Sequence, residues 1–174
     1  MTAEQGKAAA DMLATVWESE FPATCAVLAA VKDDNRGYKP DAKSRSAWEL
    51  ATHLATADVW LMESIVKGAF DWNPEAAKQA ESRFKSVNDI VEFYKKSFPE
   101  RLAALRALPA EKTTDVLDFF GVLKMTRAQF IGFANNHSMH HRGQLAAYLR
   151  AMGSKVPNIY GGSADEPFEM AAGA

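Results

Sequence analysis

The 174-residue chain is 48% hydrophobic and carries 20 basic against 22 acidic side chains, a formal net charge of −2. That length suits one domain over residues 1–174 with a single core, and a charge so near neutrality supplies no field to hold a polyanion or an anionic bilayer, so neither nucleic acid nor a membrane is an expected partner. Cys25 is the only cysteine, which excludes an intrachain disulfide; with no basic-then-apolar leader in MTAEQGKAAADML and no run approaching a membrane span, a reducing, cytoplasmic location is expected.

The first predicted helix covers residues 4–33, where Met12, Leu13, Val16, Trp17, Thr24, Val27, Leu28 and Val31 recur at helical spacing. Pro22 lacks the backbone donor that a helix interior needs, a defect worth about 3 kcal/mol, so a kink or break is expected after Phe21. The segment DDNRGYKPDAKSR has no apolar period and reads as a loop. Ser46 and Glu49 make a reciprocal capping pair, and Leu50, Leu54, Ala57, Leu61 and Ile65 form the stripe of a second helix over residues 47–69. FDWNPEAAKQAESRFK reads as a second loop. A third helix starts at Ser86, with Ile90, Val91, Tyr94, Leu102 and Leu105 on its apolar side and Pro99 interrupting it. The strings EFPATCAVLAAV and SFPERLAALRAL resemble each other, as the halves of a duplicated helical hairpin would. Residues 109–125 read as a connector, extended or a single helical turn. Thr126 and Gln129 form another capping box, from which a fourth helix runs to Met152 before Gly153 stops it and an irregular tail follows. Four long amphipathic helices, without the alternating pattern or Asn-Gly turns of hairpins, predict an all-α fold, a four-helix bundle.

Three of the four histidines, His137, His140 and His141, fall within five residues of the fourth helix. At about 100° per residue, His137 and His141 lie one turn apart near the centre of the face carrying Phe130, Phe133, Ala134, Leu145, Tyr148 and Met152, so both imidazoles are expected to point inward. His140 falls at the flank and is the weaker ligand. His53, at the edge of the second helix's stripe and on the face of Glu49, Ala57, Trp60 and Ser64, is the candidate third ligand, because bundle interiors build metal sites from facing helices. The same spacing also suits core imidazoles hydrogen-bonded to their neighbours. If the three converge, an all-imidazole site leaves coordination positions open for water or substrate and suits zinc, nickel, iron or copper. Gln144, on the interior face beside His141, is a candidate to orient that ring. Glu49, one turn before His53, is a candidate to accept the second N–H of His53, beside its role in the cap. Arg142 is expected in a structural ion pair turned away from the histidines, Cys25 as an inert thiol, and Trp17, Trp48, Trp60 and Trp72 as core or dimer interface.

The segment N-H-S-M-H-H-R-G-Q-L, Asn136 to Leu145, resembles the fourth-helix signature of the DinB/YfiT-like superfamily. Y-K-P-D-A-K-S-R-S-A-W-E-L-A-T-H, ending at His53, is similar to that family's approach to its first histidine, and G-S-K-V-P-N-I-Y-G-G-S-A-D-E from Gly153 resembles its closing segment. The resemblance implies an up-down-down-up four-helix bundle, often dimeric, with a divalent cation on His53, His137 and His141. Members similar to this chain include thiol transferases and a maleylpyruvate isomerase. The expected activity is therefore a metal-dependent enzyme that activates a low-molecular-weight thiol or water for attack on a small electrophile. Its expected cofactors are a divalent metal (zinc, nickel, iron or manganese) and the thiol, and its partners a small-molecule substrate and a second copy in a homodimer. The alternatives are a non-catalytic metal-binding or stress-associated interaction protein without turnover, and a structural bundle whose histidines are satisfied core residues.

Overall fold

Reciprocal side-chain caps start every long helix of the protein, whose residues 1–168 are described by a computed structural model. Thr2 and Gln5 open α1 (Ala3–Ala29), and Ser46 and Glu49 open α2 (Ala47–Lys67). A short α3 (Pro74–Ser82) precedes α4 (Val87–Arg106), which Ser86 and Asp89 cap. The single turn α5 (Ala110–Thr113) leads into an antiparallel hairpin of β1 (Val116–Phe119) and β2 (Leu123–Thr126), and Thr126 with Gln129 caps α6 (Arg127–Leu149). In each box the cap hydroxyl accepts a backbone N–H while the third residue's side chain accepts the N–H of the cap, so the helix starts are fixed locally.

Helices α1 and α2 each pack against α4 and α6 and lie diagonally to one another. Arg106 of α4 reaches Thr15 and Glu18 while Tyr94 stacks on Phe21, so α1 and α4 run antiparallel. Asp58 meets Tyr94 and Glu63 meets Arg101, so α2 and α4 run parallel. Asp58 meets Ser138 and Ile65 meets Arg127, so α2 and α6 are antiparallel. The result is the up-down-down-up four-helix bundle, its interior filled by Trp17, Leu28, Leu54, Met62, Ile90 and Phe130 among others. No described helix is long and apolar enough to cross a membrane.

Four local expectations are corrected. Helix α1 runs unbroken through Pro22, and α4 through Pro99. Both prolines are exposed, and the carbonyls they leave without an N–H, on Glu18 and Lys95, belong to exposed residues where water can serve them. The rings just before the two prolines, Phe21 and Phe98, stack at 4.9 Å where the helices cross. The second predicted loop contains α3, started by Asn73 accepting the Ala76 N–H and by Pro74 in the first turn. The connector contains α5 and the hairpin, so the fold is all-α apart from one small ribbon.

Two polar devices align α2 with α6. Arg127, buried at the start of α6, donates to the carbonyls of Ile65 (2.6 Å) and Val66 (2.7 Å) at the end of α2. The turn beyond uses Gly68 at φ 89°, where a Cβ would stand 2.3 Å from the Arg127 guanidinium. At mid-bundle, the Asp58 carboxyl is wholly buried and its Oδ2 accepts from Tyr94 Oη (2.8 Å) and Ser138 Oγ (2.7 Å). Burial pushes the Asp58 carboxyl up to about 7, against the pull of those two hydroxyls and of Arg142.

An unfolded aspartate loses its proton near pH 4, so folding takes up a proton between there and about pH 7. The stability this contributes is complete below the unfolded value and is lost as pH rises through the folded one, with a slope of up to about 1.4 kcal/mol per pH unit. Asp58→Asn keeps the shape and the acceptor but cannot ionise. The stability of the parent minus that of the variant, from urea unfolding, is expected to fall between about pH 4 and 7; a flat difference would show that Asp58 ionises freely.

Candidate metal centre

The caps at Ser46 and Thr126 set the rotational phase of the two helices that carry the histidines. His53 lies two turns into α2, and His137 and His141 lie around the middle of α6 on the side that faces it. The antiparallel packing brings the three rings together. Centroids stand 5.3 Å apart for His53 and His137, 4.6 Å for His53 and His141, and 4.4 Å for His137 and His141. One nitrogen from each ring lies within 4.8 Å of the others. All three are half-buried, whereas His140 is exposed and touches only the outer side of His141.

The rings avoid protons. Burial, the Arg45 charge and the neighbouring histidines push His53 down to about 3. Burial, His141, His140 and Arg45 push His137 down to about 4, and burial outweighs a bond from Gln144 in lowering His141. Neutral imidazole is the form that ligates metals. His141 Nδ1 bonds Gln144 Oε1 at 2.8 Å; an amide oxygen only accepts, so the proton sits on Nδ1 and the Nε2 lone pair is free. His137 Nδ1 is buried with no hydrogen-bond partner. Three neutral imidazoles at this spacing, one of them oriented from outside, fit a divalent cation with open positions.

The sequence named this trio, but it placed the pair on α6 too deep. The buried residues of α6 include Phe130, Ile131, Ala134, Asn135, Ser138, Arg142, Leu145 and Leu149, and the half-buried histidines stand beside that stripe. Gln144 meets His141 as expected, from the exposed side of the helix rather than the interior face. Glu49 makes no hydrogen bond to His53; its carboxylate accepts the Ser46 N–H at 2.7 Å and pairs with Lys39 at 3.3 Å. Arg142, 2% exposed, pairs with Glu20 at 2.6 Å and touches Tyr160, turned away from the histidines. Burial pushes the Cys25 thiol up to about 11, which makes it a poor nucleophile.

His53 and His137 line an open cavity of about 800 Å³. Trp17 is core and Trp48 half-buried, but Trp60 and Trp72 line this cavity, their rings 5.5 Å apart. The hairpin adds Phe119 and Phe120, and α3 forms another wall. Sequence reasoning missed Asp58, although the series Leu50, Leu54, Asp58, Leu61, Ile65 sets it on an apolar stripe. It missed Arg45 because nothing in a loop's composition says where its side chain is held.

The sequence model of the DinB family matches residues 5–169. The uncharacterized protein YjoA of Bacillus subtilis is 29% identical over 123 residues, 71% of this chain and 77% of its own length. The uncharacterized protein YrdA of the same organism is 26% identical over 155 residues, covering 86% of this chain and 87% of its own. The crystal structure of the DinB-like YjoA superposes with a TM-score of 0.66 at 26% identity, over 85% of this chain and 96% of that one. A DinB-like protein of Bacillus cereus superposes with a TM-score of 0.69 at 24% identity, over 85% and 95%, a likeness of fold.

At pH 5 an ordinary imidazole, with a pKa of about 6.5, is almost fully protonated. In metal-free protein at that pH, nitrogen-15 shifts are expected to report neutral rings at His53 and His137. Protonated rings there would mean that the cluster opens.

Proposed function

This chain belongs to the DinB family, and we propose that it is a metal-dependent enzyme: His53, His137 and His141 hold a divalent cation where a low-molecular-weight thiol or water is activated to attack a small electrophile. The observation that carries this reading is the convergence of three neutral imidazoles, two of which, His53 and His137, line an open, aromatic-walled cavity. A divalent cation supplies Lewis acidity, lowering the pKa of an adjacent thiol or water towards neutrality.

The chain's own residues do the rest. Gln144 holds His141 with its Nε2 lone pair free. Trp60, Phe119 and Phe133 give the cavity that holds His53 and His137 an apolar lining. Thiol transfer is favoured over hydrolysis because a thiol, with a pKa of about 8.5, is a far stronger acid than water and gives up its proton to solvent near neutral pH with little help. Hydrolysis also calls for a general base, and Glu49, the carboxylate closest in sequence to His53, is engaged by Ser46 and Lys39. Cys25 does not supply the thiol, since it sits on α1, the helix diagonal to α2, with its pKa raised. The thiol therefore comes from a second small molecule.

Untagged protein purified without chelator is expected to carry about one divalent ion per chain. His53→Ala and His137→Ala should carry little, and Gln144→Leu should bind about tenfold more weakly or worse. Added metal at a hundred times its Kd should stabilise the parent by about 2.7 kcal/mol and leave the histidine variants unmoved. Thiol consumption with an aryl halide or epoxide should then depend on the metal. A parent that stays metal-free after dialysis against zinc, nickel and manganese would return the histidines to a structural role.

A further inference from the structure

The cavity beside the histidines has a charge arrangement that the metal reading leaves unexplained. Among the described residues, Arg36, Arg101, Arg106, Arg127, Arg142 and Arg150 each pair with a carboxylate. The remaining two, Arg45 and Arg83, pair with none, and both line this cavity. Arg83 lies over Phe93 at 3.9 Å, so its flat face is occupied. Arg45 has no hydrogen-bond or ring partner, and its charge is felt by all three histidines. None of the cavity's acids pairs with it. Glu63 pairs with Arg101 and Asp71 with Lys67, while Glu81 and Lys78, both on α3, make no ion pair among the described residues. An exposed, unpaired guanidinium on the lining of the cavity that also holds His53 and His137 is set up for an incoming anion, and its planar fork matches a carboxylate.

The opposite wall is aromatic and includes a residue held in an unfavourable backbone conformation. Phe119 accepts the Val122 N–H across a tight turn whose central residues, Phe120 and Gly121, have φ of 53° and 74°. Such turns favour Asn-Gly, because a bulky side chain at positive φ is disfavoured. Phe120 nonetheless occupies the first position, 51% exposed, with its ring 4.9 Å from Phe119 at the cavity. Across from it, Trp72 is 56% exposed. Strain at a turn and aromatic rings left open to solvent on one cavity rim have a common account in an apolar, planar ligand body.

We propose that this cavity binds an aryl carboxylate, with its anionic end paired to Arg45 and its ring held among Trp60, Phe119 and Phe120. The assignment deepens the metal reading and rests on it only for which end of the ligand faces the chemistry. The carboxylate belongs either to the electrophile or to the thiol. The aromatic wall favours the electrophile.

The test titrates the full chain, zinc-loaded and again after chelation, with cinnamate, its neutral amide and 3-mercaptopropionate, which has the carboxylate and a thiol but no ring. In both states cinnamate is expected to bind at least about fivefold more tightly than the amide, and Arg45→Gln should bring the two within about twofold. Phe120→Asn should weaken both by about threefold or more while raising the melting temperature, because asparagine accepts the turn's backbone. Equal affinity of cinnamate and its amide, no binding of either, or a preference that survives Arg45→Gln would overturn the proposal. Tighter binding of 3-mercaptopropionate than of cinnamate would overturn the aromatic part and assign the anion to the thiol. A preference that vanishes on chelation would give the carboxylate to the cation, leaving the metal reading intact and this one refuted. A preference that persists in a protein unable to bind metal would do the reverse.

Discussion

The antiparallel contact between α2 and α6 is the constraint on which the rest depends, and a buried carboxyl sets its alignment. Asp58 follows His53 by five residues and Ser138 follows His137 by one, and the 2.7 Å bond between Asp58 and Ser138 locks the two helices at that level. Arg127 clamps the far end of α2 by taking its last carbonyls. A slip of one residue along α6 moves a side chain by about 1.5 Å and turns it by about 100°, which would take His137 or His141 out of reach of His53. Three half-buried rings converge because polar groups elsewhere in the core leave the helices one alignment to adopt.

That polar core also explains what could be read from the sequence and what could not. Helix extents followed from the capping boxes at Ser46, Ser86 and Thr126, which act over three residues and need no tertiary information. The histidine trio was legible because i,i+4 spacing fixes a shared face whatever that face packs against. Its depth was not. Apolarity alone centres the stripe of α6 on Phe130, Ala134, His137 and His141; Phe130 and Ala134 are buried, but after them the buried line passes through Ser138 and Arg142 instead of the histidines. Ser138 and Arg142 are buried because Asp58 and Glu20 receive them, and those partners are distant in sequence.

The cavity wall was the least legible part, since it is built from short elements without an apolar period. Helix α3 has no buried residue, so its start at Asn73 and Pro74 was its only signal. The hairpin buries Leu117 and half-buries Phe119 in alternation, but it turns on Phe-Gly rather than Asn-Gly and so lacks the usual mark. The prolines erred in the other direction. A rule about helix interiors overstates the defect when the freed carbonyl belongs to an exposed residue, as those of Glu18 and Lys95 do.

These features divide the molecule by mechanical role. The histidines stand on long, capped, mutually bonded helices, where side-chain positions are held closely enough for ligand geometry. The opposite wall stands on α3 and a two-stranded ribbon, elements with few buried residues that can vary with little effect on the core. Arg45 sits at the junction, one residue before the Ser46 cap that fixes the phase of α2. Its place beside the rings is therefore tied to the same local device that aims His53. A positive charge there, together with burial, makes protons unwelcome on all three imidazoles, so the rings stay neutral and their lone pairs stay available, the protonation state in which imidazole acts as a ligand.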